Sequence, residues 1–183
     1  WLSIIVSILF NAAVFGVYSY LTDFLNIVTN APSHAVSIIL FLYGASNILG
    51  NVIAGKLLTT IPKKAIFLLP FSLIIIYVAM FGIGSFLIPM MMISVLWGIL
   101  AGISANITQY VIISVAPDAP DLSNGIFLSA VNSGTTIGTF FGGIFIASLG
   151  SNFVIFIGIL ACMINILFIY LRNRELKQFE ITS

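Results

Sequence analysis

Residues 51–70, NVIAGKLLTTIPKKAIFLLP, join the end of one long apolar run to the start of the next through a short basic segment. Lys56, Lys63 and Lys64 all lie within this stretch. The apolar runs on either side, 33–58 and 65–84, each reach the length of roughly 20 residues that a helix needs to cross a bilayer. The pattern therefore predicts two membrane-spanning helices that meet at a basic turn.

Similar apolar runs fill most of the remaining chain. The composition is 61% hydrophobic and 6% charged, with a mean hydropathy of +1.23. Soluble domains carry about 25% charged residues, so a water-soluble protein is excluded. We predict an all-α integral membrane protein with six transmembrane helices, which we number as spans 1 to 6: residues 1–25, 33–58, 65–84, 88–115, 122–149 and 152–171.

The basic residues all fall on one side of the membrane when these spans are threaded back and forth. The positive-inside rule then makes that side cytoplasmic, with both termini on it and residues 172–183 as a cytoplasmic tail. The protein is predicted to lie in the plasma membrane, which is the inner membrane of a bacterium. Because these residues act as topological anchors and the net charge is only +1, nucleic-acid binding is not expected. The chain begins inside an apolar run without Met, which predicts a cut or processed product. The basic residues are Lys56, Lys63, Lys64, Arg172, Arg174 and Lys177.

Polar residues are concentrated in spans 1, 2, 4 and 5. Polar side chains in hydrocarbon are costly unless they face a partner or a wet cavity, so these four spans are predicted to surround a cavity while spans 3 and 6 face lipid. An amide or phenol offers hydrogen bonds without a fixed charge. Alternatively, each amide only joins helices, with about 0.6–2 kcal/mol of stabilisation. The candidate solute contacts are Tyr18, Asn47, Asn106, Gln109 and Asn132.

Small residues at intervals of four occur in two spans. Span 5 has Gly134, Gly138, Gly142 and the adjacent Gly143, which predict a groove for close helix packing. Span 2 has small residues at the same spacing, 88 positions earlier. Spans 1–3 and 4–6 are therefore predicted to be two copies of a three-helix unit in opposite orientation, a three-plus-three inverted repeat of the kind that builds secondary transporters. The earlier small residues are Ser46, Gly50 and Ala54.

The same motifs carry a family resemblance that extends over nearly the whole chain. Gly55 and the doublet Lys63-Lys64 resemble the second-half copy of the cytoplasmic loop motif of the major facilitator superfamily, although Thr59 and Thr60 occupy the usual acidic and basic positions. The stretches APDAPDLSN (116–124) and NSGTTIGTFFGG (132–143) resemble its drug/proton antiporter branch, which includes arabinose-efflux-type permeases.

This resemblance implies the C-terminal half of a twelve-helix transporter that exports a small organic solute, such as a drug, sugar or nucleoside-like molecule, by alternating access. Its partners would be the lipid bilayer, a missing N-terminal six-helix half, the solute and possibly protons. The alternative, from the residues alone, is a six-helix membrane scaffold or assembly subunit without transport activity.

Titratable residues give little basis for catalysis. No His pair, acidic pair or HExxH-like spacing lies within a span, and His34 lies at the outer start of span 2. We therefore expect no enzyme, no metal and no cofactor. No acidic residue lies near the bilayer midplane, so any proton-coupling carboxylate is expected in the missing half, with Asp23 as the one possible contributor from this chain. Cys162 is expected to be a small apolar residue.

Overall fold

The computed structural model describes residues 1–115 and 117–176 in full and the helical backbone of 177–182. Within these residues the fold is entirely helical, and six spans are long and apolar enough to cross a membrane, which confirms the predicted fold class. Span 1 consists of the helices Leu2–Tyr18 and Leu21–Ile27. Spans 2 to 5 are single helices, and span 6 begins with a 3-10 turn: Ser33–Thr60, Pro62–Ile83, Leu87–Ile113, Pro120–Leu149, then Ser151–Val154 and Ile155–Thr182.

The helix bounds differ from the sequence-based ones at several positions. Span 1 is not continuous, because the backbone N–H of Tyr20 donates to Val17 O at 3.1 Å, a shorter step than an α-helix uses. The last helix continues to Thr182, and so includes residues 172–182 of the segment that was predicted to be a tail. Thr60 still belongs to span 2, where its hydroxyl donates to Lys56 O at 2.7 Å. Only Ile61 therefore separates spans 2 and 3.

The packing of the spans follows a two-fold pattern. The most extensive contacts join span 2 to span 4 and span 1 to span 5. If each helix of the first three-helix unit is exchanged for its counterpart in the second, the 1–5 contact becomes the 4–2 contact. Short connections make consecutive spans antiparallel, and three crossings in each unit give the two units opposite directions. The fold is thus an inverted repeat.

Spans 3 and 6 carry apolar side chains on their outer faces and use their few polar groups inward. The Tyr77 hydroxyl donates to Ala13 O at 2.7 Å, and Asn165 Nδ2 donates to Val6 O at 3.3 Å. Both acceptors belong to span 1, which lies at the centre of the bundle. The polar groups of these two spans therefore fasten span 1, because a buried donor is costly unless it finds an acceptor.

Candidate functional site

A cavity of about 370 Å³ opens between spans 1, 2 and 4. Its walls carry side-chain amides, phenols and a hydroxyl, together with apolar and small residues. Among the described residues, those that line it include no Asp, Glu, Lys, Arg or His. They are Asn11, Val14, Phe15, Tyr18, Tyr43, Gly44, Asn47, Ala101, Ser104 and Ala105.

An aromatic cluster forms one side of this cavity. The rings of Tyr18 and Tyr43 stack with centroids 4.7 Å apart, and Trp97 meets Tyr43 edge-on at 4.9 Å. Behind them Tyr77 packs edge-on against Trp97 at 5.9 Å. Because offset-stacked and edge-to-face pairs are favourable and these rings come from four spans, the cluster holds the wall in a fixed shape. The wall presents aromatic ring faces and the phenol hydroxyls of Tyr18 and Tyr43 to the cavity.

Two of the five predicted solute contacts line the cavity. Tyr18 belongs to the aromatic wall, and Asn47 is half-buried with no side-chain hydrogen bond to any described residue. Gln109 and Asn132 are exposed, and neither is among the lining residues. The rotation of each helix about its axis decides which of its polar residues face the cavity, and the sequence pattern does not fix that rotation.

Asn106 lies on the contact between spans 2 and 4. Its Nδ2 donates to Asn51 Oδ1 at 2.7 Å and to Gly102 O at 2.9 Å. Gly102 and Gly98, one and two helical turns before Asn106, face the backbone of span 2. This face of span 4 is therefore largely a packing face.

Eight of the ten lining residues were not selected from the sequence, although helical spacing held a signal for some of them. Asn11 and Phe15 share a helix face with Tyr18, at intervals of four and three, and Tyr43 lies four residues before Asn47. Asn11 Nδ2 donates to Ser7 O at 2.8 Å, which leaves the amide oxygen as an acceptor. Ser104 lies on a face of span 4 with small residues and had no sequence signal.

The glycines of span 5 pack against span 1 of the same chain. A Cβ on Gly138 would lie 2.9 Å from Ala12 Cα and 3.0 Å from Gly16 Cα. A Cβ on Gly142 would meet Gly16 O at 2.9 Å, and one on Gly143 would meet the Tyr20 hydroxyl at 2.8 Å. Gly134 faces Asn11 and the carbonyl of Ile8 in the same way. The whole glycine series therefore lies on an internal contact of this six-helix unit.

The motif residues Gly55, Lys63 and Lys64 lie near the turn between spans 2 and 3. A Cβ on Gly55 would meet nothing within 4 Å, so this glycine is not needed for close packing here. Lys63 and Lys64 are exposed and line a second, larger cavity.

Asp23 is exposed in the first turn of the short helix Leu21–Ile27. In the described part of the chain no cluster of three His, Cys, Asp or Glu could hold a metal ion.

Comparison with known proteins agrees with this architecture. The sequence model described as Major Facilitator Superfamily matches residues 1–181. The chain is 27% identical over 176 residues to the inner membrane transport protein YdhP of Escherichia coli K12, which covers 94% of the chain and 45% of that protein. It is 26% identical over 144 residues to a probable sugar efflux transporter of Helicobacter acinonychis, covering 79% and 37%.

An uncharacterized MFS-type transporter of Bacillus subtilis, YtbD, is 29% identical over 144 residues, covering 74% of the chain and 35% of that protein. The chain thus spans less than half the length of these relatives. The family match extends over six membrane spans that pack as an inverted repeat. The chain therefore belongs to the major facilitator superfamily, a family of membrane transporters.

Proposed function

We propose that this chain is the C-terminal half of a secondary transporter that exports a small organic solute by alternating access. The observation that carries the proposal is the cavity between spans 1, 2 and 4, since a transporter of this kind binds its solute near the bilayer midplane. The relatives are more than twice as long as their match to this chain, which supports a second half of similar size. Rocking of the two halves would open the cavity to each side in turn.

The lining chemistry favours an uncharged, hydroxyl-rich solute. Asn47 supplies an amide whose hydrogen-bonding groups are free of described partners, and Tyr18 supplies a phenol and a ring face. A charged solute would need an opposite charge or a metal to replace its hydration, and no described lining residue carries a charge. A sugar or nucleoside-like molecule fits this surface, and a sugar efflux transporter is among the relatives.

The topology belongs to the same proposal. The positive-inside rule places the turn with Lys63 and Lys64 in the cytoplasm, and with it both ends of the chain, in a bacterial inner membrane. No described acidic residue lies in the cavity, so a proton-coupling carboxylate would lie in the other half. Asp23, exposed beside the break in span 1, is the one candidate from this chain.

The test is solute uptake into inverted membrane vesicles that carry the full-length protein, with labelled arabinose, lactose and uridine as probes and an imposed pH gradient. We expect Asn47→Ala to raise the KM for the transported probe about 10-fold, because a hydrogen bond in a desolvated site contributes about 1–1.5 kcal/mol. The control is Ile48→Ala, the neighbouring residue whose side chain is 66% exposed on the outer surface.

The outcomes separate the alternatives. No uptake of any probe, with or without a gradient, would favour the non-transporting scaffold. An equal effect of Asn47→Ala and Ile48→Ala would show that the cavity is not the solute site. An Asp23→Asn variant that binds solute but no longer responds to the gradient would make Asp23 the proton carrier.

A further inference from the structure

A second cavity, of about 1030 Å³, lies where span 3 begins and where spans 4 and 6 end. It shares no lining residue with the cavity between spans 1, 2 and 4. Four of its described lining residues are basic, and none is acidic; Glu175, next in the chain to Arg174, is not among them. The basic residues are Lys63, Lys64, Arg172 and Arg174.

Arg172 is the most unusual member of this group. A residue expected to anchor a cytoplasmic tail is only 6% exposed. Its Nε donates to Ser3 Oγ at 3.0 Å and its Nη2 to Ser114 Oγ at 3.4 Å. Both acceptors are neutral, and Arg172 forms no ion pair within the described part of the chain. A buried cation without a counter-charge is unfavourable, so this arrangement favours binding of an anion.

The two hydroxyls use only part of what the guanidinium offers. An arginine carries five N–H donors in a planar fork that suits phosphate, and hydrogen bonds to Ser3 and Ser114 hold that plane in place. Arg174 and Lys64 are exposed and line the same cavity. They can therefore add positive charge around a phosphate that is bound to the buried Arg172.

The rest of the lining indicates where that phosphate comes from. Phe67, Leu68 and Tyr170 line the cavity and are 40%, 54% and 60% exposed on the outer surface of spans 3 and 6. A free phosphate ion makes no favourable contact with an apolar wall that continues onto the lipid-facing surface, whereas a lipid acyl chain can pack against it. Basic pockets between transmembrane helices at the cytoplasmic side are suited to anionic lipid headgroups.

We propose that this cavity binds an anionic glycerophospholipid, with the headgroup phosphate at Arg172, Arg174 and Lys64 and an acyl chain along Phe67 and Leu68. The bound lipid supplies the negative charge that the buried guanidinium lacks. It also joins the ends of spans 3, 4 and 6. The site is independent of the transported solute.

The experiment is native mass spectrometry of the detergent-purified full-length protein, titrated with phosphatidylglycerol or with phosphatidylcholine. The wild-type protein is expected to bind phosphatidylglycerol at least 10-fold more tightly than phosphatidylcholine. The double variant Lys64→Gln/Arg174→Gln, at two exposed positions, should bind phosphatidylglycerol roughly 30-fold more weakly than the wild type, because each basic residue near an anionic lipid surface contributes about a fivefold factor. The matched control is Lys56→Gln, which removes an exposed basic residue outside the cavity and should leave binding unchanged.

Further arms distinguish the sources of the anion. Inorganic phosphate at millimolar concentration should not displace the lipid; displacement would assign the site to free phosphate and overturn the lipid proposal. Equal binding of the two lipids, or an equal loss with Lys56→Gln, would also overturn it. Arg172→Gln should abolish the preference for phosphatidylglycerol, and if that variant fails to fold, the double variant at exposed positions decides.

Discussion

The contact between spans 2 and 4 and the contact between spans 1 and 5 use the same backbone arrangement. A Cβ on Gly50 would lie 3.0 Å from Gly102 Cα, and a Cβ on Gly16 would lie 3.0 Å from Gly138 Cα. Gly50 and Gly138 are 88 positions apart, and Gly102 follows Gly16 by 86. Both three-helix units thus use glycine at this contact, because a residue without a Cβ lets two helix backbones approach closely.

The polar groups beside the glycines differ between the two contacts. The 2–4 contact has a side-chain amide pair, Asn51 and Asn106, whereas the 1–5 contact has the Tyr20 hydroxyl donating to Thr139 O at 2.9 Å. Spans 2 and 4 both line the smaller cavity, but span 5 does not. The comparison teaches that glycine packing is common to both repeats, while the cavity is lined by both spans of the 2–4 contact and by only one span, span 1, of the 1–5 contact.

The largest expected effect is loss of folding when either glycine contact is filled. Gly50→Leu and Gly138→Leu each place a side chain where backbone already lies, with the first Cβ 2.9 Å or less from Ile99 and Ala12, respectively. Overpacking costs about 1–3 kcal/mol in adaptable cores, and more here because backbone cannot yield as a side chain can. We expect little monodisperse protein by size-exclusion chromatography in detergent for both variants.

Gly82→Leu is the matched control for these substitutions, since a Cβ at Gly82 would meet nothing within 4 Å. It should elute and melt as the wild-type protein does. If Gly50→Leu is lost while Gly138→Leu folds normally, the two contacts are not equivalent and the repeat symmetry does not extend to stability.

A smaller effect is expected from the amide pair of the 2–4 contact. Asn106→Leu breaks the 2.7 Å bond to Asn51 and should destabilise the protein by about 1.5 kcal/mol, as measured by thermal unfolding in detergent. Asn51→Leu should lower the free energy of unfolding by a similar amount, and the double variant should lower it by less than the sum of the two single variants. Asn132→Leu, at an exposed amide without a described side-chain hydrogen bond, is the stability control. An unchanged melting temperature with a raised KM would instead make Asn106 a solute contact.

The smallest effect concerns the phenol beside the 1–5 contact. Tyr20→Phe keeps the ring against Gly142 and removes only the hydroxyl that donates to Thr139 O. The expected loss in the free energy of unfolding is about 1 kcal/mol, the usual net contribution of one hydrogen bond. Tyr170→Phe, at an exposed ring without a described hydrogen bond, should have no effect. A larger loss from Tyr20→Phe than from Asn106→Leu would reverse the ranking of the two contacts.

The sequence alone determined the number of spans, the basic end of the bundle and the glycine series of span 5. These properties depend on local quantities: the length of each apolar run, the placement of Lys and Arg, and the interval of four residues between Gly134, Gly138 and Gly142. Each can be read without knowing how the helices are rotated. The bilayer enforces them, because a spanning helix must be long, apolar and internally hydrogen-bonded.

Only the tertiary structure decided which face of each helix meets the cavity. Asn47 and Asn106 look alike in sequence, yet one lines the cavity and the other bonds Asn51, because glycine packing fixes the rotation of spans 2 and 4. In the same way, Arg172 follows a span like any anchoring residue but is buried beside Ser3 and Ser114. That burial depends on residues far apart in the chain, brought together only when the spans pack, so no local pattern could reveal it.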